Sequence, residues 1–149
     1  MEEKISNLQD RLFGTKRFFA FSDKNFLTDR QEKILKEKID DIMDDCMEAG
    51  LNTVFFQVRP SCDALYDSDI FPVSRVLSTT GRLQFDPLEY FVEAAHKNNI
   101  FLHAWINPLR AMTDDEIKMV SGEYDIKKWY DDPDTRGKYV SEGSGRWYL

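Results

Sequence analysis

The chain has 149 residues, of which 42% are hydrophobic and 13% aromatic, enough for one domain with a real core and too many for a disordered segment. Its formal charge of −7 speaks against a nucleic-acid partner, because a phosphate backbone is held by clustered Lys and Arg. No apolar run approaches the roughly 18 residues of a membrane-spanning helix, so no such segment is expected.

In chain order, the opening MEEKISNLQDR has no apolar stretch of the kind found in a secretory leader. Residues 17–22, RFFAFS, predict a first strand. Thr28 and Gln31 then stand at capping-box spacing. Ile34, Ile39, Ile42, Met43, Cys46 and Ala49 recur with helical period, and Gly50 supplies a left-handed stop, so the spacing predicts a helix over 29–49. A second strand follows over 52–59. Val54, Phe56 and Val58 alternate onto one face and Thr53, Phe55, Gln57 and Arg59 onto the other, until Pro60 ends the pairing.

Residues 60–85 show little periodicity, and a connection of that length is more often functional than decorative. Asp86 is a good N-cap, Pro87 suits the first helical position, and Glu89 completes a second capping box. Leu88, Phe91, Val92 and Ala95 give that helix its apolar stripe, which fades at 97–99. A third strand, IFLHAWIN, spans 100–107, with Phe101, His103, Trp105 and Asn107 on one face. A short helix capped by Thr113 or Asp114 is predicted over 113–121, and 123–149 carries no clear pattern. Strand, helix, strand, helix, strand is the rhythm of a parallel sheet in an α/β fold.

Two cysteines occur, with no zinc-type spacing. Cys46, on the helical stripe, reads as a buried thiol. Cys62 lies in a polar loop beside Asp63 with no identifiable base to activate it. His96 and His103 lie on different elements without supporting ligands, so neither a metal nor a cofactor is expected.

In a parallel strand, functional groups collect at the carboxyl end. Gln57 and Arg59 stand at that end of the second strand; His103, Trp105 and Asn107 stand at that end of the third. Asp63 and Tyr66 can join them from the long loop. Such a rim suits sugar. Trp105 and Tyr66 offer flat faces, Arg59, Gln57 and Asn107 offer directional hydrogen bonds, and Arg59 can also clamp a carboxylate. Each residue has a purely structural alternative: a strand-end ion pair for Arg59, interior hydrogen bonds for Gln57, a satisfied buried ring for His103, core packing for Trp105 and a loop staple for Asp63.

The stretches GLNTVFFQVRPSCDALYDS, FDPLEYFVEAAHKNNI and FLHAWINPLR resemble the glycoside hydrolase-like 10 family. Its members are bacterial (β/α)8 barrels associated with cleavage of glycosidic bonds, including those of peptidoglycan glycan strands. The resemblance spans residues 16–111 and continues more weakly to the end. A Q-V-R-P then D-A-x-Y pattern is met by Gln57, Arg59, Pro60, Asp63, Ala64 and Tyr66. An H-A-W-x-N-P-x-R pattern is met by His103, Trp105, Asn107, Pro108 and Arg110.

The resemblance implies an α/β fold in which residues 1–149 form one N-terminal piece of a barrel, with three to four βα units. A whole barrel typically needs about 250 residues. It implies a glycan or oligosaccharide as substrate, met by Gln57, Arg59, Asp63, Tyr66, His103, Trp105, Asn107 and Arg110. The acidic catalytic residues are expected on later strands, so none is assigned here and the chain alone is expected to be inactive. The family is commonly exported, and the compartment stays open. An unclosed sheet edge makes self-association a further expectation. Two other readings stand beside this one: a carbohydrate-binding or interaction module without catalysis, and a truncated product without function.

Overall fold

The computed structural model describes residues 29–78, 83 and 85–149. The predicted first strand at 17–22 and the Thr28 cap lie outside the described residues.

Helix α1, Asp29–Glu48, buries Leu35, Ile39, Ile42, Met43 and Cys46 along one face. It stops as Gly50 demands. Gly50 has φ +69°, its N–H donates to the Met47 carbonyl, and Leu51 N–H donates to the Cys46 carbonyl. These are the two bonds of a Schellman motif. The chain turns directly into strand β1, Thr53–Arg59. Helix α2, Pro87–Lys97, ends the same way with Asn99 at φ +56°. Asn99 N–H donates to His96 and Ile100 N–H to Ala95, and strand β2, Phe101–Ile106, follows. Two helix-to-strand units are thus made by one local device.

Strands β1 and β2 pair in parallel, Thr53 opposite Phe101 through Gln57 opposite Trp105. An extra residue then enters β1, and Arg59 stands opposite Ile106. The bulge shifts the pairing but not the alternation of burial, with Gln57 and Arg59 half-buried on either side of a buried Val58. Val54, Phe56 and Val58 are buried against α1 and α2, with the Phe56 and Phe91 rings edge to face at 4.8 Å. On the opposite face Phe55 and Phe101 are each 67% exposed. Ala104 and Ile106, on the other face of β2, are exposed as well. Among the described residues, β2 pairs only with β1.

Asp86 caps α2 by accepting from Leu88 and Glu89 N–H, and its other oxygen accepts from Asp67 N–H at 3.0 Å. The helix start therefore also pins the long loop. That loop folds back on itself: Ala64 N–H donates to Pro72, and Ser74 N–H to Ala64. Leu65, Val73 and Leu77 enter the first core.

The C-terminal third is more regular than its sequence pattern suggests. Helix α3 is only Asp114–Lys118, shorter than the predicted 113–121, but Thr113 caps it with a full capping box to Glu116. Helix α4, Asp125–Asp131, and an antiparallel hairpin of β3, Ser141–Gly143, and β4, Arg146–Tyr148, were not predicted. Ser144 and Gly145 turn the hairpin with φ +53° and +73°, the backbone of a two-residue type I′ turn. The stretch 109–112 runs antiparallel beside β4: Ala111 N–H donates to Trp147, Trp147 N–H to Met112 and Leu149 N–H to Leu109. A second apolar cluster gathers there, with Ile117, Ile126, Tyr130, Val140 and Trp147. Cys62 belongs to this cluster, which corrects its placement in a polar loop. Among the described residues, no helix is long and apolar enough to cross a membrane.

Asp114 organises the second cluster. One of its oxygens accepts from Tyr130 Oη at 2.7 Å and from Trp147 Nε1 at 3.4 Å, and it pairs with Lys118. The Lys118 and Tyr130 hydrogen bonds hold its carboxyl down at about 2.

Two outcomes follow from this packing. Ile39→Ala removes a fully enclosed side chain and lowers unfolding free energy by about 2–5 kcal/mol in urea titration, whereas Met47→Ala on the open face of α1 changes it by less than about 0.5 kcal/mol. The depressed Asp114 value means its stabilisation is complete above the unfolded value of 3.8 and is lost as pH falls toward about 2. Near-ultraviolet circular dichroism should therefore show the Tyr130–Trp147 packing loosening in that window, and Asp114→Asn should remove the acid step.

Candidate functional site

Parallel pairing delivers the carboxyl ends of β1 and β2 to the same edge, where the long loop also begins. Arg59 leaves β1 just after the bulge. Its guanidinium lies over the Phe71 ring at 4.1 Å, and its Nε is buried with no hydrogen-bond partner among the described residues. An unmet buried donor costs about 1–3 kcal/mol, more when charged. The planar fork of Arg suits a carboxylate better than any other side chain does.

On β2, Trp105 is 49% exposed and points its indole N–H at Asn107 Oδ1, 3.1 Å away. Asn107 Nδ2 donates to the Pro60 carbonyl at 3.1 Å, and its backbone N–H donates to the Arg59 carbonyl. His103 is exposed and stacks on Phe55, centroids 4.9 Å apart and planes 21° apart. Gln57 stands opposite Trp105 in the parallel register. The sheet face that carries these groups is open, with aromatic rings beside polar side chains.

Not every residue expected at the rim faces it. Asp63 is buried inside its own loop, where it accepts from Ser61 N–H at 2.9 Å and from the Ser74 hydroxyl. Burial raises its carboxyl above the ordinary value, and the Ser74 and Ser61 bonds offset part of that rise. Tyr66 packs against the first core. Arg110 is exposed, and its backbone bridges to Tyr148.

Glu116 is not among the residues singled out from the sequence, although Thr113-x-x-Glu116 has capping-box spacing, and its charge is near enough to add to the rise at Asp63. Burial pushes Glu116 upward too, but the Thr113 bonds and the nearby Arg146 and Arg75 leave it lowered. Both carboxylates hold backbone: Asp63 the loop at Ser61, Glu116 the Thr113 cap. Arg146 Nη1 also reaches the Ala111 carbonyl, tying β4 to the end of the rim segment. No group of three or more His, Cys, Asp or Glu side chains gathers to hold a metal ion among the described residues.

The sheet end therefore joins an arginine fork, exposed rings and amide groups on an α/β scaffold. The glycosyl hydrolase-like 10 family model matches residues 18–146, and the chain belongs to that family. Glycosyl hydrolase DigH of Escherichia coli (strain K12) is 38% identical over 82 residues, 52% of this chain and 18% of that protein. Glycosyl hydrolase YngK of Bacillus subtilis (strain 168) is 32% identical over 96 residues, 62% of this chain and 19% of that protein. The matched segment thus spans about a fifth of each relative's length.

The charged loop gives a contrast to measure. Asp63→Asn keeps a partner for Ser61 and Ser74 and sheds a buried charge, so chemical denaturation at neutral pH should find it as stable as the native chain or more so. Asp63→Ala orphans both partners and should lose about 1–3 kcal/mol. Because burial raises the Asp63 value, the native chain should gain on Asp63→Asn as pH falls from above that raised value toward 3.8.

Proposed function

We propose that the chain forms one sector of a (β/α)8 barrel, as a single unit over residues 1–149, and lines the substrate cleft of a glycoside hydrolase acting on cell-wall or related polysaccharide. The observation that carries the reading is the pairing of β1 with β2. It puts Arg59, with a buried and unsatisfied Nε, at the same sheet end as the half-exposed Trp105. Trp105 stacks against the C–H face of a sugar ring. Arg59 takes a carboxylate, on the glycan or on a catalytic side chain. Gln57 and His103 meet hydroxyls on the open face, and Arg110 flanks them. Family membership and the relatives named as glycosyl hydrolases support a carbohydrate substrate.

Hydrolysis of a glycosidic bond generally needs two carboxyl groups roughly 5 to 9 Å apart across it. Asp63 and Glu116, two carboxylates near the Arg59 loop, both hold backbone. The 149-residue chain by itself therefore binds glycan without cleaving it. That same observation favours a second reading, a carbohydrate-binding module whose rim never meets a catalytic pair.

Titration of the chain with oligosaccharides from purified peptidoglycan, measured by isothermal titration calorimetry, tests the cleft. Arg59→Lys keeps the charge but loses the fork and should weaken affinity by about 10-fold. Trp105→Ala should weaken it at least as much. Equal binding by all three proteins would sink the assignment. Release of reducing ends by the chain, abolished by Asp63→Asn, would show that an acid has been overlooked.

A further inference from the structure

Asn107 makes three hydrogen bonds across the carboxyl ends of both strands. Its backbone N–H donates to the Arg59 carbonyl at 3.0 Å, its Nδ2 to the Pro60 carbonyl at 3.1 Å, and its Oδ1 accepts from the Trp105 indole at 3.1 Å. The side-chain orientation is fixed by chemistry. An indole N–H can only donate and a carbonyl can only accept, so the reversed amide would set donor against donor and acceptor against acceptor. The partners are far apart in the chain, Pro60 lying 47 residues from Asn107. The amide therefore ties the first turn of the long loop to the indole of β2.

From this geometry we propose that Asn107 is a positioning residue, which holds the indole of Trp105 as a flat stacking surface in fixed relation to the Arg59–Pro60 turn and does not itself bind sugar. The inference rests on the glycan-cleft reading of the same site and deepens it. With its only polar atom occupied, the indole offers a ligand its ring face. Directional recognition then falls to the fork of Arg59 at the same sheet end. Trp105 is 49% exposed, so neighbouring side chains only half enclose it, and the amide supplies orientation that packing does not. A side chain held before binding is not ordered at the moment of binding, which improves affinity without adding a contact.

The test uses the whole chain and begins without ligand. In a proton–nitrogen correlation spectrum, the Trp105 indole signal is identified by its loss in Trp105→Phe. In Asn107→Ala that signal should move upfield and its proton should exchange with solvent about 10-fold faster. An unchanged signal overturns the proposal. Should Asn107→Ala fail to fold, Asn107→Asp is read against pH: protonated, its carboxyl can donate to Pro60 and accept from the indole as the amide does, and ionised, it sets acceptor against acceptor at Pro60. The indole signal should keep its native position at low pH and move as the carboxyl ionises, and a signal indifferent to pH overturns the proposal equally.

The second arm titrates peptidoglycan-derived oligosaccharide. Asn107→Ala should weaken affinity about 3- to 10-fold in the native background and by less than about 1.5-fold in the Trp105→Phe background, where no indole N–H remains to be held. Equal losses in the two backgrounds would assign Asn107 directly to the sugar and overturn the positioning role. If the native chain binds no oligosaccharide, the cleft reading fails, while the ligand-free arm still decides whether Asn107 holds the indole.

Discussion

The parallel pairing of β1 with β2 is the constraint from which the site follows. Parallel neighbours must be joined by a crossover, and here the crossover is the long loop and α2. Both strands therefore point their carboxyl ends the same way. The two Schellman turns at Gly50 and Asn99 fix where each strand starts, so the register of Thr53 with Phe101 is settled before the rim is reached. The apolar side of β1 is sealed by Leu35, Ile39 and Met43 of α1 and by Phe91 and Ala95 of α2. Burial of that side is what leaves Phe55, Gln57, His103 and Trp105 together on the other.

The second apolar cluster stands behind the rim and is built differently. Short elements cannot bury much area each, so α3, α4 and the hairpin depend on polar fastening. Thr113 and Glu116 close one helix start. Asp114 gathers a tyrosine hydroxyl and an indole N–H. The Tyr130 ring meets Trp147 edge to face at 5.2 Å and carries the Arg136 guanidinium over it at 4.6 Å. By pairing with β4, the segment 109–112 is drawn into this cluster, and so the chain leaving the end of β2 is anchored. Cys62 and Phe71 bring the long loop to the same place, and Phe71 in turn supports Arg59.

Charge is used economically at the rim. Asp63 and Glu116 are engaged with backbone and hydroxyl donors, whereas Arg59 keeps a buried Nε with no hydrogen-bond partner among the described residues. Under the proposed cleft reading, such a rim is complementary to a ligand that carries acceptors or a negative group. Membership of the glycosyl hydrolase-like 10 family supports the proposal that this ligand is a carbohydrate.

Much of this was legible from residue order alone. Helical spacing and Gly50 located α1 to within a residue, Asp86-Pro87 located the start of α2, and alternation gave the buried and open faces of β1. The two motifs around Arg59 and Trp105 identified the family. What could not be read was whatever depends on partners far along the chain. The bulge at Val58 arises from pairing with β2. Asp63 turns inward because Ser74 lies across the loop to receive it. β3 is polar, Ser-Glu-Gly, and shows no alternation, so only the Ser144-Gly145 turn hinted at a hairpin. Its register is set partly by β4 lying against residues 109–112. The sequence by itself determined the elements and the chemistry available at each strand end, because caps, periodicity and turn residues act on neighbours. Tertiary structure alone decided which of those groups face outward, because burial and hydrogen bonding of Asp63, Cys62 and Asn107 are settled by segments that meet only when the chain folds.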